Sequence, residues 1–147
     1  MSDVTDIKDA DVKVKTINEI SKEVGHEIAL AKTMQEFFTR EIMSGGADTI
    51  LEIVAKYMDS MNDVSKYIRS QQEILKSYPQ GEARALMLQI LAIQAEKWSM
   101  IMAQLRHLSP DNTKIKSQKA VLDILFNDFI DRGNSLLRIL VKLEIRT

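Results

Sequence analysis

The stretch that decides the fold is Gly81–Leu108, which reads GEARALMLQILAIQAEKWSMIMAQLRHL. It is the most apolar segment of the chain and contains the only tryptophan, Trp98. Its apolar residues recur every three or four positions, which predicts a helix. One series comprises Leu88, Leu91, Ala95, Trp98, Met102 and Leu105, and a second comprises Leu86, Ile90, Ile93, Met100, Ile101 and Leu108. Because the combined face is wide, we expect this helix to contact more than one neighbour.

The apolar stretch is about as long as a membrane-spanning helix, which needs roughly 20 residues. It nevertheless contains Glu96 and Lys97 near its middle, together with three glutamines. A charged side chain at the centre of a bilayer costs about 2.5 kcal/mol or more. We therefore expect no membrane span, and we expect Trp98 and most methionines to lie in a protein core.

Three short breakers divide the chain into segments. They are Gly45-Gly46, the turn Tyr78–Gly81 with Pro79, and Leu108–Asn112, in which Ser109-Pro110 resembles a helix cap followed by a first-turn proline. Apolar residues at helical spacing fill the segments between them. The sequence thus predicts one domain over residues 1–147, with the first ten or so residues loosely ordered and helices at about 6–43, 47–77, 81–108 and 113–143.

Long amphipathic helices joined by short connections pack as antiparallel neighbours. The expected fold is all-α, an elongated antiparallel four-helix bundle with long, coiled-coil-like helices. At 1.5 Å per residue the helices would span roughly 40–55 Å, and their unequal lengths would leave one or two ends projecting. The alternative is a pair of long hairpins that open and pack against another copy.

Polar residues interrupt the apolar series at Gln71, Gln118 and Arg132. The favoured interpretation is that the series has rotated toward solvent near an end of the rod. The alternative is that these residues set the register or the oligomeric state, as a single polar core residue can in a coiled coil.

The composition excludes several classes of function. The absence of cysteine rules out disulfides and thiolate metal sites, and a net charge of −1 gives no electrostatic support for nucleic-acid binding. The acidic amino terminus lacks a basic and then apolar signal peptide, so we expect a cytoplasmic protein or one exported without a cleavable signal. Residues 1–44 carry nine acids and six bases (−3), whereas residues 110–147 carry five and seven (+2). This asymmetry admits head-to-tail association.

The sequence contains no complete motif for catalysis, and no cofactor is expected. Glu23 and His26 form one E-x-x-H pair on a helix, the half-site used by di-iron bundles. They remain the candidate metal ligands, but a second E-x-x-H pair is missing. The residue three positions before the only other histidine, His107, is Gln104 and not a glutamate. Neither a phosphate-binding glycine loop nor a nucleophile with a neighbouring base can be identified. We therefore expect no enzyme.

The leading hypothesis is a non-catalytic helical-bundle interaction protein that assembles with itself or binds a helical partner. The apolar face of Gly81–Leu108 motivates it, and the candidate partner-binding residues are Leu86, Ile90, Ile93, Trp98, Met100 and Ile101. A more specific alternative is a component of a bacterial secretion apparatus, such as a filament or tip subunit or its chaperone. The competing class is a metal- or ligand-binding four-helix bundle.

Overall fold

The computed structural model describes the backbone of residues 2–43, 50–109 and 111–146, and these residues form four α-helices. The helices are α1 Ser2–Met43, α2 Ile50–Ile74, α3 Glu82–Arg106 and α4 Asn112–Arg146, and a 3-10 turn at Leu75–Ser77 prolongs α2. No strand occurs in these ranges, so the expected all-α class is confirmed. The predicted start of the second helix, at residues 47–49, lies outside the described residues.

The helices form an antiparallel bundle in which each helix packs against two others. α1 contacts α2 and α4, and α3 also contacts α2 and α4. Thr16 near the start of α1 meets Ser77 just beyond α2, whereas Glu27 meets Gln71. Across the other seam of α1, Gln35 meets Asn127 of α4 and Ile28 meets Gly133. Residue numbers therefore rise in one helix as they fall in its neighbour, which confirms the predicted bundle.

The core consists of one buried series from each helix, again at a spacing of three and four residues. In α3 the buried residues are Met87, Leu91, Gln94, Trp98, Ile101 and Leu105. This series mixes members of the two predicted series and adds Met87 and Gln94. Leu88 is exposed instead, because the helix is rotated by part of a turn relative to the expected face. Within the described residues, none of the helices has the length and apolarity needed to cross a membrane.

The start of α4 is capped by Asp111 and not, as the sequence suggested, by Ser109. The Asp111 Oδ1 atom accepts hydrogen bonds from the backbone N–H groups of Thr113 at 2.8 Å and Lys114 at 3.2 Å. One carboxylate oxygen here accepts from two free helix donors, and its negative charge favours the positive end of the helix. The bonds from Lys114 and Thr113 hold the pKa of Asp111 below its ordinary value.

Gly133 marks a very close approach between α1 and α4. A Cβ atom at this position would lie 2.8 Å from Ile28 Cγ1 and 2.9 Å from Ile28 Cδ1. Such distances are shorter than carbon atoms tolerate, so any larger residue at this position would force the side chain of Ile28 to shift. Gly25 differs, since a Cβ atom there would have no neighbour within 4 Å. The two helical glycines therefore have different structural roles.

Alanine should have opposite effects at the two glycines. Gly25→Ala should raise the free energy of unfolding by up to about 1 kcal/mol, because alanine favours the helix and meets no obstacle. Gly133→Ala gains the same propensity but overpacks the seam, which typically costs about 1–3 kcal/mol. Urea denaturation measures both changes. Ile28→Val removes the Cδ1 atom and should recover part of the Gly133→Ala loss, and equal effects of the two alanines would contradict the close contact.

Candidate functional site

The four helices meet at a buried layer that interrupts the apolar core. We call Glu27 of α1, Gln71 of α2, Gln94 of α3 and Gly133 of α4 the polar layer. Each residue belongs to the buried series of its helix, and the three polar side chains are 0% exposed. Above and below it, the series continue with large apolar residues, such as Val24 and Met34 in α1. The polar layer is therefore the chemically distinctive region of the core.

Hydrogen bonds connect the polar layer across the bundle. Gln71 Nε2 donates to Glu27 Oε2 at 2.7 Å, and Gln94 Nε2 donates to the Phe129 carbonyl oxygen of α4 at 3.4 Å. A Cβ atom added at Gly133 would lie 3.5 Å from the same Gln94 nitrogen, so the missing side chain makes room for this amide. The layer thus connects α1 to α2, and α3 to α4.

Three buried oxygens in the polar layer have no hydrogen-bond partner among the described residues. They are Oε1 of Glu27, Oε1 of Gln71 and Oε1 of Gln94. All three are acceptors when Glu27 is ionised, and a buried acceptor without a donor costs about 1–3 kcal/mol. A proton on Glu27 converts one carboxyl oxygen into a donor. The hydrogen-bonding inventory of the layer therefore favours neutral Glu27.

Burial raises the pKa of Glu27 from 4.5 to about 8. Removal of the carboxylate from water is the main cause, and the negative charge of Glu23, one turn earlier, adds to it. The hydrogen bond from Gln71 and the nearby amide of Gln94 act in the opposite direction and are smaller. Near neutral pH, Glu27 is therefore mostly protonated and can lose its proton on mild alkalinisation.

Trp98 packs one turn from Gln94 and fills the neighbouring layer of the core. Its side chain is 1% exposed, and its ring centroid lies 5.1 Å from that of Phe129 and 6.3 Å from that of Phe126. The indole Nε1 donates to the Met61 carbonyl oxygen of α2 at 3.0 Å. The tryptophan thus joins α2, α3 and α4, and its fluorescence reports on packing beside the polar layer.

The structure separates the six candidate partner-binding residues into three groups. Leu86 and Met100 are exposed, whereas Ile90 and Ile93 are half-buried beside α4. Trp98 and Ile101 lie in the core, so their inclusion in a partner surface is corrected. They were misplaced because α3 buries the series that runs through Leu91, Gln94 and Trp98. Gly81–Leu108 therefore retains an exposed apolar edge, but not the one that includes its tryptophan.

The candidate metal ligands Glu23 and His26 lie outside the polar layer. Glu23 is half-buried and His26 is exposed, with its ring centroid 5.5 Å from that of Tyr67. The side chains that are described include no group of three or more histidine, aspartate or glutamate residues that could hold a metal. Glu23 therefore affects the core through its charge on Glu27, and the E-x-x-H pair has no third ligand in this part of the chain.

The three polar interruptions noted in the sequence have separate explanations. Arg132 is exposed beside Asp128, as the solvent interpretation expects, and Gln118 bridges the α3–α4 connection by donating to the His107 carbonyl oxygen at 2.8 Å. For Gln71 the solvent interpretation was wrong, because this side chain is buried in the polar layer. Sequence reasoning missed Glu27 and Gln94 altogether. The sequence did contain a signal for them. Glu27 and Gln94 are single polar residues in apolar series that compete with the neighbouring series of the same helix.

No known protein family, curated protein or solved structure matches this chain. The arrangement itself defines a four-helix bundle with a polar layer at its centre. Raised carboxyl pKa values often mark catalytic acids, but catalysis also requires a second reacting group. Side-chain amides do not change their charge near neutral pH, so Glu27 is the one titratable residue of the polar layer. The layer can therefore bind and release a proton and control packing.

The protonation of Glu27 should make stability depend on pH. Because its folded pKa exceeds its unfolded value, the folded state holds the extra proton between pH 4.5 and about 8. The contribution of Glu27 to the free energy of unfolding should be largest below pH 4.5. It should decrease as the pH rises to about 8, by at most ~1.4 kcal/mol per pH unit. Urea titrations followed by Trp98 fluorescence measure this slope.

Glu27→Gln should flatten the slope between pH 4.5 and 8, since the amide does not titrate. Glu36→Gln, the same change on an exposed side chain of α1, is the matched control and should leave the slope in place. The pKa values of Asp111 and Asp128 are held below their ordinary value by hydrogen bonds, so these groups affect stability only at more acidic pH. A slope that survives Glu27→Gln would show that Glu27 does not titrate in the core.

Proposed function

We propose that the protein is a non-catalytic interaction protein that binds an amphipathic helix of another protein in the groove between α3 and α4. One observation carries the proposal: where side chains are described, all the exposed large hydrophobic residues belong to α3 and α4. They are Leu86, Leu88, Met100, Val121, Ile124, Val141 and Ile145. Met100 and Ile124 border the groove between α3 and α4, whereas Val141 and Ile145 lie on another side of α4. Apolar side chains that are exposed along one seam between helices are typical of partner surfaces.

The first part of the groove is a cleft of about 180 Å³ between the two helices. Ile90 and Ile93 of α3 line one wall, Leu136 and Ile139 of α4 line the other, and Gln94 of the polar layer also contributes. A cleft of this size accommodates a large aliphatic or aromatic side chain. Its mostly apolar walls favour such a side chain over water.

A second apolar area lies farther along the same groove. Met100 follows Ile93 by seven residues, and Ile124 of α4, which is 68% exposed, lies toward the same end. Seven residues correspond to two helical turns, or about 10 Å. A bound helix with apolar residues at positions i and i+7 would therefore fill the cleft and cover the second area, as in other helix-in-groove complexes.

Charged side chains lie between the two apolar areas. Lys97 Nζ is 3.2 Å from Asp128 Oδ2, and Arg132 Nε is also 3.2 Å from that oxygen. Burial alone would raise the pKa of Asp128, but the hydrogen bonds and charges of Lys97 and Arg132 hold it below its ordinary value. Two cations share one carboxylate here, so a partner helix with an acidic residue between its apolar positions suits the groove best.

Site-specific crosslinking in the native cell tests the proposal. A benzophenone amino acid at Ile124 should give an adduct with a discrete protein, and the same residue at exposed Asn62 of α2 should not. The crosslinked segment, made as a peptide, should become helical on binding. Ile124→Asp should weaken that peptide at least about tenfold, equivalent to ~1.4 kcal/mol, because it places a charge in the apolar contact.

Asn62→Asp is the matched control and should leave the affinity unchanged. A peptide that binds without becoming helical, or binds equally well to the Ile124→Asp variant, would refute docking in the groove. The absence of any adduct at Ile124 would also count against it. An adduct with another copy of this chain would replace the foreign helix with self-association through α3 and α4.

A further inference from the structure

We propose that two copies of this chain associate through one end of the bundle, where the acidic start of α1 in each copy packs on the basic end of α4 in the other. This surface is separate from the α3–α4 groove, and the inference stands without the proposed function. It follows from the register of the helices, from the exposed apolar residues at that end and from opposite charges.

At one end of the bundle, α1 extends beyond its neighbours. Thr16 Oγ1 lies 3.2 Å from Ser77 Oγ, at the point where the chain leaves α2. On the other seam, Ile28 meets Gly133, and α4 ends about 13 residues after Gly133, level with about residue 15 of α1. Ser2–Val14 therefore projects by about 20 Å, at 1.5 Å per residue.

Burial along α1 agrees with this projection. Thr16 and Ile17 are the first buried residues among those of α1 whose side chains are described, which begin at Asp9. In the sequence, Ile7, Ala10 and Val14 continue the apolar spacing toward the amino terminus. An isolated helical segment of this length is only marginally stable in water. A contact on its apolar side would stabilise it.

The end of α4 carries an exposed apolar row. Val141 is 53% exposed and Ile145 is 80% exposed, and Leu137 precedes them by one turn. Successive residues four apart lie on the same side of a helix, so the three form one continuous row. Arg138 and Lys142 accompany Leu137 and Val141 in one surface depression. The row thus combines apolar and cationic side chains.

The charges of the two segments are opposite. Residues 2–14 contain four aspartates and two lysines, which gives −2, and residues 138–146 contain three bases and one glutamate, which gives +2. Within one chain, α1 continues straight past the end of α4 and therefore cannot fold back onto it. A second copy, inverted end to end, brings its acidic segment alongside the basic row.

Two-fold symmetry completes the contact. Each copy donates one projecting segment and accepts one, so both apolar rows are covered and both charge pairs form. The arrangement closes on itself as a dimer and leaves the α3–α4 groove free. It requires only the part of the chain that projects and the last turns of α4. A second copy therefore satisfies the shape, the apolar row and the charges together.

Sedimentation velocity of the full chain from about 1 to 200 μM tests the inference. Arg138→Glu/Lys142→Glu and Asp9→Lys/Asp11→Lys should each raise the dimer dissociation constant on the order of tenfold, because each reversal repels the opposite segment. An equimolar mixture of the two variants should restore the dimer, since every contact again joins opposite charges. This restoration also shows that both variants are folded.

Asp59→Lys/Asp63→Lys, a double reversal at exposed positions of α2, is the matched control and should leave the dimer unchanged. High salt should weaken the dimer by screening the charges. A monomer at every concentration would overturn the inference. A dimer insensitive to both reversals, or one broken by Ile124→Asp instead, would also overturn it. In the last case the copies meet at α3 and α4, and the failure is distinct from that of a foreign helix.

Discussion

The hydrogen bond from Gln71 to Glu27 is the constraint on which the packing of the bundle depends. A carboxyl group in an apolar core is costly unless another group satisfies it. Only one register of α2 brings Gln71 opposite Glu27. A shift of α2 by seven residues would place Val64 or Tyr78 there, and neither carries the side-chain amide that donates to Glu27. Apolar series alone tolerate such shifts far better, because one large hydrophobic residue replaces another.

Gly133 imposes the same register on α4 by a steric route. A shift of seven residues would bring Phe126 or Leu140 against Ile28, where even a Cβ atom is too close. A polar contact and a steric contact thus select one alignment of the helices at the same level of the bundle. Single polar core residues have this effect in coiled coils, where they reduce stability and gain specificity. The alignment in turn determines which helix ends project and which side chains border the α3–α4 groove.

The class and architecture could be predicted from the sequence because they depend on local features. Breakers at Gly45-Gly46, Pro79 and Pro110 separate segments whose apolar spacing is helical throughout. The polar layer was harder to predict because Glu27 stands beside Ile28, and both continue a spacing of three and four residues. Which of the two faces the core depends on the rotation of α1 against its neighbours, and this is a tertiary property. Gln94 and Ala95 present the same ambiguity in α3.

The exposed surface was predictable only in part. An apolar excess on the third and fourth segments was visible from their composition, and exposed Leu86 and Met100 belong to it. The assignment of Trp98 and Ile101 to that surface was wrong. The apolar face of α3 is wide, so turning the helix about its axis by less than the roughly 100° between adjacent residues exchanges its buried and exposed edges. Such a face indicates that a helix has several neighbours. The positions of those neighbours decide which side chains remain in contact with water.

The close contact at Gly133 also has a mechanical consequence. α1 extends from this contact by about 26 residues toward Ser2, or roughly 39 Å, and by about 15 residues toward Met43, or roughly 22 Å. α1 is also buried on both sides of this contact, from Thr16 to Phe38. A rotation of about 5° around Ile28 would carry Thr16, about 18 Å away, through roughly 1.6 Å against the side chains of its neighbours. The close contact and the packing on both sides of it therefore act together to hold α1 in one orientation.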